Sequence, residues 1–199
     1  MKSLIHLLLD RQMKTIDVDG DHRVAMHQHL FHQKPLLQAL FYDIKWLLKD
    51  LNHQYFSGEG LEVELGSGAA PMRDIFPEVL ATDIVASAHL DKVIDAENMD
   101  FPSVSIRALY AQNCFHHFSD PCRFFTELNR VLIPGGGVVL LEPYYGPFAT
   151  FLFKRLFPTE GFDKKAVSWE HTFAGPMSGA NQALSYIVFV RDRKKFQEQ

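Results

Sequence analysis

The spacing of apolar positions changes near residue 58, and this change divides the predicted structure. Over residues 35–51 apolar side chains recur every three or four residues, which predicts an amphipathic helix, and Pro35 suits its first turn. After a break at residues 57–60 the chain alternates between short apolar runs and helical stretches. We therefore predict an N-terminal helical extension over residues 1–58 and a second domain, one compact unit, over residues 59–199.

Short apolar runs predict the strands of this second domain. They are residues 61–65, 79–84, 92–95, 106–111 and 138–141. A helix is predicted after Gly68, and another, with apolar positions at 124, 125, 128, 131 and 132, precedes the last strand. Strands that alternate with helices predict an α/β fold, a Rossmann-like three-layer sandwich with a mainly parallel sheet.

The segment after Glu142 has a less decisive pattern. Residues 148–157 are apolar with two embedded basic side chains, and residues 183–190 form an apolar run that fits a strand or a helix equally well. The first of these segments, with Tyr144 and Tyr145 before it, is interpreted as a lid over an apolar acceptor, a homodimer contact, a membrane-surface helix or buried core.

Composition indicates which kinds of partner and which cellular location to expect. The net charge is −4, with 22% charged residues of both signs interspersed, which disfavours a nucleic-acid partner. Two cysteines are too few for a disulfide framework, so we expect a reducing, cytoplasmic location. The apolar stretch at residues 4–9 is too short for a secretion signal or a membrane span. No metal site is predicted, because the histidines lack acidic or cysteine partners at suitable spacing.

A glycine turn is the strongest chemical signal in the chain. Residues 64–68 read Glu-Leu-Gly-Ser-Gly, where a strand ends and a helix is expected to begin. Glycines let the backbone turn sharply and approach a ligand, and a helix N-terminus offers N–H groups. A dinucleotide site needs a third glycine, but Ala69 and Ala70 follow here. Glu64 would oppose a pyrophosphate and favour a cationic ligand.

Two further acids follow predicted strands. Asp83 and Ile84 end the second strand, and Asp95 with Ala96 ends the third. The carboxyl ends of parallel strands share one edge of a sheet, where open α/β folds bind ligands. A carboxylate there can accept hydrogen bonds from ribose hydroxyls, so we expect a nucleoside-type ligand.

The order of these motifs resembles the class I S-adenosylmethionine-dependent methyltransferases, in particular the small-molecule group. The matching stretches are residues 64–68, 81–84, 95–98, 112–118 and 130–136, within residues 61–143. The resemblance implies S-adenosylmethionine as cofactor and S-adenosylhomocysteine as product. It implies these cofactor-binding residues: Gly66, Ser67 and Gly68 at the methionine end, Asp83 at the ribose, Asp95 and Ala96 at the adenine, and Gln112 and Asn113 near the reactive methyl. Glu64 and Ile84 are also expected to bind the cofactor.

The resemblance leaves the acceptor and the catalytic base open. His116 and His117 follow the fourth strand and are candidate general bases toward a small or apolar acceptor. Arg107 begins that strand where relatives commonly place an acid, and only residues 183–190 offer a further C-terminal strand where relatives have two. The alternatives are therefore a non-catalytic methyltransferase-like binding domain and an NAD(P)-dependent oxidoreductase.

Overall fold

Two helices open the part of the chain that the structure describes. The computed structural model describes residues 17, 19–20, 22–156, 161–172, 175 and 180–198. Helix α1 spans Arg23–Gln33 and helix α2 spans Pro35–Tyr55, with Pro35 in its first turn as predicted. The apolar stretch at residues 4–9 and Phe157, the last residue of the proposed lid segment, lie outside the described residues.

Five parallel strands form one sheet. They are β1 (Leu61–Leu65), β2 (Val79–Asp83), β3 (Lys92–Val93), β4 (Ile106–Gln112) and β5 (Leu132–Leu141), in the order β3-β2-β1-β4-β5. Every pairing is parallel. The predicted α/β class with a mainly parallel, Rossmann-like sheet is confirmed.

The boundaries of β1 agree with the prediction, whereas the other strands differ at their ends. β2 stops one residue before Ile84, β3 covers only two residues, and β5 begins at Leu132, ahead of the glycines. Helix α3 (Pro121–Val131) precedes β5 as expected. Its Arg130 donates hydrogen bonds to the carbonyl oxygens of Met99 and Phe101, which fixes the helix against the β3–β4 connection.

The helix predicted after Gly68 is absent, and that prediction was wrong. The connection from β1 to β2 contains one 3₁₀ turn, Met72–Asp74. Pro71 and Pro77 bracket this turn, and Pro77 both lacks an N–H group and disfavours helical geometry at Phe76. Too few residues lie between the prolines for an α-helix, so no helix N-terminus lies at the glycine turn.

Helix α2 buries a polar face against the sheet. Its buried residues are Lys45, Leu48, Lys49 and Asn52, whereas Leu36 is 86% exposed. Leu48 belongs to the core on this side of the sheet; the other members are Met72, Phe76, Val79, Ala108 and Tyr110. The lysines reach acids on β1, so ion pairs as well as apolar contacts hold α2 to the sheet.

Contacts within the chain define two compact units. One comprises Val24–Cys114 and Cys122–Leu141 and contains the whole sheet. The other contains the described residues up to Arg23, Phe115–Pro121 and the described residues after Leu141. The predicted division into residues 1–58 and 59–199 stays a prediction. None of the described helices combines the length and the apolar character that a membrane crossing requires.

The regular elements of the second unit are helices, and its described residues 161–172 form turns and irregular chain. Helix α4 (Pro147–Phe151) continues into a π-helical turn, and helix α5 (Leu184–Tyr186) continues into another over Ile187–Arg191, followed by helix α6 (Arg193–Phe196). The run at residues 183–190 is therefore helical, and its strand alternative is wrong. Between the gaps at 157–160, 173–174 and 176–179, residues 142–198 contribute only an isolated bridge from Gly161 to Asn181 and no strand.

Candidate functional site

The sheet reverses its strand order between β1 and β4. From β1 the chain adds β2 and then β3 on one side, and then crosses to place β4 and β5 on the other side. Leu65 of β1 aligns with Ala111 of β4, so the residues that follow them leave the sheet at the same level. Such a switch point opens a crevice at the carboxyl ends of the strands.

The glycine turn after β1 lines this edge. Gly66 and Gly68 have φ values of +65° and +55°, which strain residues with a side chain. A Cβ on Gly66 would also lie 2.7 Å from Cys114 Sγ. The Ser67 N–H group donates to the Thr82 carbonyl oxygen over 2.9 Å, which fastens the turn to the end of β2.

Asp83 at the end of β2 also fixes the turn. Its Oδ2 accepts the Gly68 N–H group and its Oδ1 accepts the Val85 N–H group, each over 3.0 Å. A carboxylate oxygen has two lone pairs, so each oxygen keeps one for a further donor. Asp83 thus orders the turn and still offers two acceptors to a ligand.

A histidine that the sequence analysis missed holds the other side of the turn. His89 Nε2 lies 2.6 Å from the Gly68 carbonyl oxygen, and His89 Nδ1 lies 2.8 Å from Gln28 Nε2 of α1. Because a carbonyl oxygen only accepts, Nε2 carries the hydrogen and Nδ1 accepts from Gln28. Ser87 Oγ also lies 2.7 Å from His89 Nδ1, but the residues that tie His89 to the turn and to α1 are 21 and 61 residues away, so the sequence around His89 does not mark this role.

Two buried polar atoms at the switch point have no hydrogen-bond partner among the residues that the structure describes. They are Ser67 Oγ, after β1, and Gln112 Oε1, at the end of β4. Ser67 is 4% exposed. A buried polar group without a partner costs about 1–3 kcal/mol, so such groups mark a place where a ligand completes the structure. A hydroxyl can donate or accept, whereas an amide oxygen accepts only.

Glu64 differs from its predicted role as a carboxylate available to a cationic ligand. It is 2% exposed, its Oε1 pairs with Lys45 Nζ of α2, and its Oε2 accepts the Met72 N–H group over 2.7 Å. Side chains alternate along a strand, and Glu64 lies on the face of β1 that α2 covers. The cation that Glu64 contacts is thus internal, and the carboxylate holds the residues that follow the glycine turn.

Glu62, two residues earlier, is the centre of a second buried network. Its carboxylate accepts hydrogen bonds from Lys49 over 2.6 Å, Tyr110 over 2.5 Å and also Arg107. Burial alone would raise the pKa of Glu62, but the hydrogen bonds from Lys49 and Tyr110 and the charges of Lys49 and Arg107 lower it overall. Burial and the Glu62 carboxylate raise the pKa of Tyr110. Arg107, which stands where relatives commonly have an acid, thus helps Lys49 to compensate the negative charge of Glu62.

The other predicted cofactor residues lie along the same edge. Asp95 is exposed and its Oδ1 accepts the Glu97 N–H group over 2.8 Å, while Ala96 is buried and Ile84 is 49% exposed. Asn113 has φ +51°, which asparagine tolerates, and its N–H group donates to the Leu141 carbonyl oxygen over 2.8 Å. Hydrogen bonds therefore connect the Ser67-Gly68 turn to the end of β2 at Asp83. The other predicted cofactor residues lie at the ends of neighbouring strands.

The two candidate bases lie in the second unit, on a 3₁₀ turn over Phe115–His117. His116 Nδ1 lies 2.6 Å from Glu142 Oε2, and the side chains of the pair are 3% and 6% exposed. Glu142 Oε1 accepts the Phe115 N–H group over 2.8 Å. His117 is half-buried, with its ring centroid 4.3 Å from that of His116. The sequence analysis did not identify Glu142 as a partner, although it directly follows the predicted last strand.

Comparison with known proteins agrees with this architecture. The family model described as a methyltransferase domain matches residues 63–140. A structure from Methanococcus maripaludis, assigned as an S-adenosyl-L-methionine-dependent methyltransferase, has 14% identity and a TM-score of 0.50 over 71% of this chain and 75% of its own. At these values the likeness shows the fold.

Other similar structures align over shorter stretches. YcgJ from Bacillus subtilis has 22% identity and a TM-score of 0.38 over 47% of this chain and 48% of its own. A protein from Bacillus halodurans C-125, assigned as a methyltransferase, has 26% identity and a TM-score of 0.38 over 53% of this chain and 51% of its own. The chain thus covers about half the length of these two proteins.

Proposed function

We propose that this chain, whose residues 63–140 match a methyltransferase-domain model, is a class I S-adenosylmethionine-dependent methyltransferase that acts on a small molecule. The observation that carries the proposal is the pair of buried, unpartnered polar atoms, Ser67 Oγ and Gln112 Oε1, at the switch point of the sheet. A nucleoside with an amino-acid tail has both the donors and the acceptors that these atoms need.

The residues at this edge fit the parts of the cofactor. The spare lone pairs of Asp83 suit the two ribose hydroxyls, and exposed Asp95 with buried Ala96 suits the adenine, beside Ile84. Gly66, Ser67 and Gly68 would surround the amino-acid tail, and Gln112 and Asn113 would lie next to it. When bound, S-adenosylmethionine supplies the activated methyl group and its leaving group.

The protein therefore contributes mainly position and order. Holding an acceptor atom in line with the methyl group can account for about 7–11 kcal/mol of rate enhancement. Lys45 and Glu64 act here as positioning residues, because their ion pair holds the Met72 N–H group and with it the chain that leaves the glycine turn. Asp83 and His89 hold Gly68 from its N–H and C=O sides.

The acceptor is proposed to be small and apolar. The second unit exposes aromatic side chains directly after β5: Tyr144 is 68%, Phe148 is 72% and Phe151 is 52% exposed. Exposed aromatic side chains of this kind commonly mark binding surfaces. His116 and His117 remain candidate bases, and the Glu142 contact at Nδ1 would orient the His116 ring.

Calorimetry with S-adenosylmethionine and S-adenosylhomocysteine tests the proposal. We expect both to bind, and we expect Gln112→Met to weaken binding about tenfold, because it removes an acceptor that bonds to nothing among the described residues. Gln112→Glu is the matched variant that keeps an acceptor and the side-chain length. No heat with either ligand on folded protein would overturn the proposal.

Two further measurements separate the alternatives. Fluorescence titration with reduced nicotinamide dinucleotide tests for the oxidoreductase, since among the three alternatives it is the one expected to bind this cofactor. Turnover against a panel of small acceptors, measured as S-adenosylhomocysteine formed, separates an enzyme from a non-catalytic binding domain that takes up the cofactor without product.

A further inference from the structure

The C-terminal part of the chain contains a basic pocket that the proposed methyltransferase site does not use. Its volume is about 980 Å³, which falls within the range of small-molecule sites. We call it the C-terminal basic pocket. Its lining residues are Lys165, Ala166, Val167, Val190, Arg191, Asp192, Arg193, Lys194, Lys195 and Gln197.

Charge is concentrated in this pocket against the trend of the whole chain. Five of the ten lining residues are cationic and one, Asp192, is acidic. The pocket therefore carries +4 in a chain whose net charge is −4, so the rest of the chain carries −8. Repulsion among five cations costs stability unless an anion relieves it.

Hydrogen bonds hold the segments that line the pocket together, and they also engage Asp192, its one acidic residue. Arg191 Nη1 donates to the carbonyl oxygens of Lys164 and Ala166 over 3.0 and 2.7 Å. Asp192 accepts from Arg191 over 2.7 Å and from Trp169 Nε1 over 2.8 Å. The hydrogen bond from Arg191 lowers the pKa of Asp192 to about 2, so this acid stays ionised and paired with Arg191.

The remaining cations are available to a ligand. Lys165, Arg193 and Lys194 are exposed, and within the described segments their side chains show no ion pair or hydrogen bond. Lys195 Nζ lies 4.2 Å from the centroid of the Trp169 ring, which holds that ammonium group at the pocket wall. Several cations around one concave space match the oxygens of a multiply charged anion.

We propose that the C-terminal basic pocket binds the phosphate groups of a small phosphorylated ligand. Phosphate chemistry fits because arginine and lysine together supply directed and point-charge donors to its oxygens. The inference goes beyond methyl transfer, since no predicted cofactor residue lines the pocket.

Trp169 provides a direct reporter of binding. The chain has two tryptophans, so Trp46→Phe leaves Trp169 as the single fluorophore, in contact with Lys195 and Asp192. Inorganic pyrophosphate is the probe. We expect a saturable change in fluorescence that weakens as salt concentration rises.

A pair of charge-matched variants tests the location. Arg193→Gln with Lys194→Gln removes two pocket cations, and we expect it to weaken pyrophosphate binding at least about tenfold. Lys154→Gln with Arg155→Gln removes two exposed cations outside the pocket lining, and we expect little change. Affinity for S-adenosylhomocysteine should be the same in both, which keeps this test independent of the proposed function.

The outcomes decide the proposal in either direction. Equal weakening by both double variants would show a general charge effect and overturn the pocket assignment, as would the absence of a saturable signal. Sedimentation with vesicles containing phosphatidylserine separates the source of the phosphate. Binding to vesicles without binding of free pyrophosphate would replace a small ligand with a membrane surface and overturn the proposal.

Discussion

Ser67→Ala should move folding stability and cofactor affinity in opposite directions. Ser67 Oγ is buried and has no partner in the described chain, so the wild-type protein bears the cost of an unsatisfied hydroxyl, about 1–3 kcal/mol. Alanine removes that cost and leaves a small void worth at most about 1 kcal/mol. Without ligand, we therefore expect the free energy of unfolding of the variant to equal that of the wild type or to exceed it by up to about 2 kcal/mol.

The same substitution should weaken S-adenosylhomocysteine binding about tenfold or more, because a hydrogen bond to a charged ligand group contributes about 1.5–3 kcal/mol. Thermal unfolding with and without ligand measures both effects in one series. At a ligand concentration about 100 times the wild-type Kd, binding stabilises the wild type by about 2.7 kcal/mol. A tenfold weaker variant would gain only about 1.4 kcal/mol.

Thr82→Val is the matched control for a buried hydroxyl that has a partner. Thr82 Oγ1 is fully buried and donates to the Glu64 carbonyl oxygen over 2.7 Å. Its loss should lower stability by about 1 kcal/mol and leave the affinity close to the wild-type value. If Ser67→Ala behaved like this control, with lower stability and unchanged affinity, the reasoning about the unpartnered hydroxyl would be refuted.

Three further predictions concern the framework of the site. Lys45→Met should lower the free energy of unfolding by about 3–5 kcal/mol in a urea titration, because it leaves Glu64 buried without its cation; a loss below about 1 kcal/mol would contradict this. Gly66→Ala should lower the free energy of unfolding by about 2–5 kcal/mol in the same titration, because alanine is strained at positive φ and its Cβ collides with Cys114 Sγ. Adding Cys114→Ala should restore only the part of the stability that is lost to the collision. The pKa of Glu62 is lowered in the folded protein, so its ionised form stabilises the fold above the unfolded pKa and this contribution is lost as pH falls through the folded pKa. The free energy of unfolding, measured as a function of pH, should therefore fall as the solution becomes acidic. In Glu62→Gln it should fall less steeply than in the wild type.

The sheet could be predicted because its signals are local. β1 lies between glycines at 60 and 66, so its alternating apolar and acidic residues have clear ends and both boundaries were predicted correctly. The helix predicted after Gly68 does not form, because Pro71 and Pro77 leave room for only one 3₁₀ turn between them. The C-terminal run at 183–190 was ambiguous because an apolar run buried on several sides has no distinguishing period.

The contacts of the site were harder to foresee because they join distant residues. The apolar spacing of α2 predicted its helix correctly, but Lys45 and Lys49 are buried whereas Leu36 is exposed. Glu62 and Glu64 on β1, together with Glu78, explain why these lysines are buried, and no local pattern connects Lys49 to Glu62 or Lys45 to Glu64, 13 and 19 residues away. The glycine turn and Asp83 could be identified from the sequence, whereas the ion pair of Glu64 with Lys45 could be identified only from the tertiary structure.

The lysines of α2 and the acids of β1 also have nearly commensurate spacings. Four residues of helix advance about 6.0 Å and two residues of strand advance about 6.6 Å. Lys45 can therefore meet Glu64 while Lys49 meets Glu62, with the helix antiparallel to the strand. Sliding the helix by one turn would bring Lys49 to Glu64, leave Lys45 without an acid on β1 and leave Glu62 without a lysine. The paired spacings therefore favour a single docking position of α2 on the sheet.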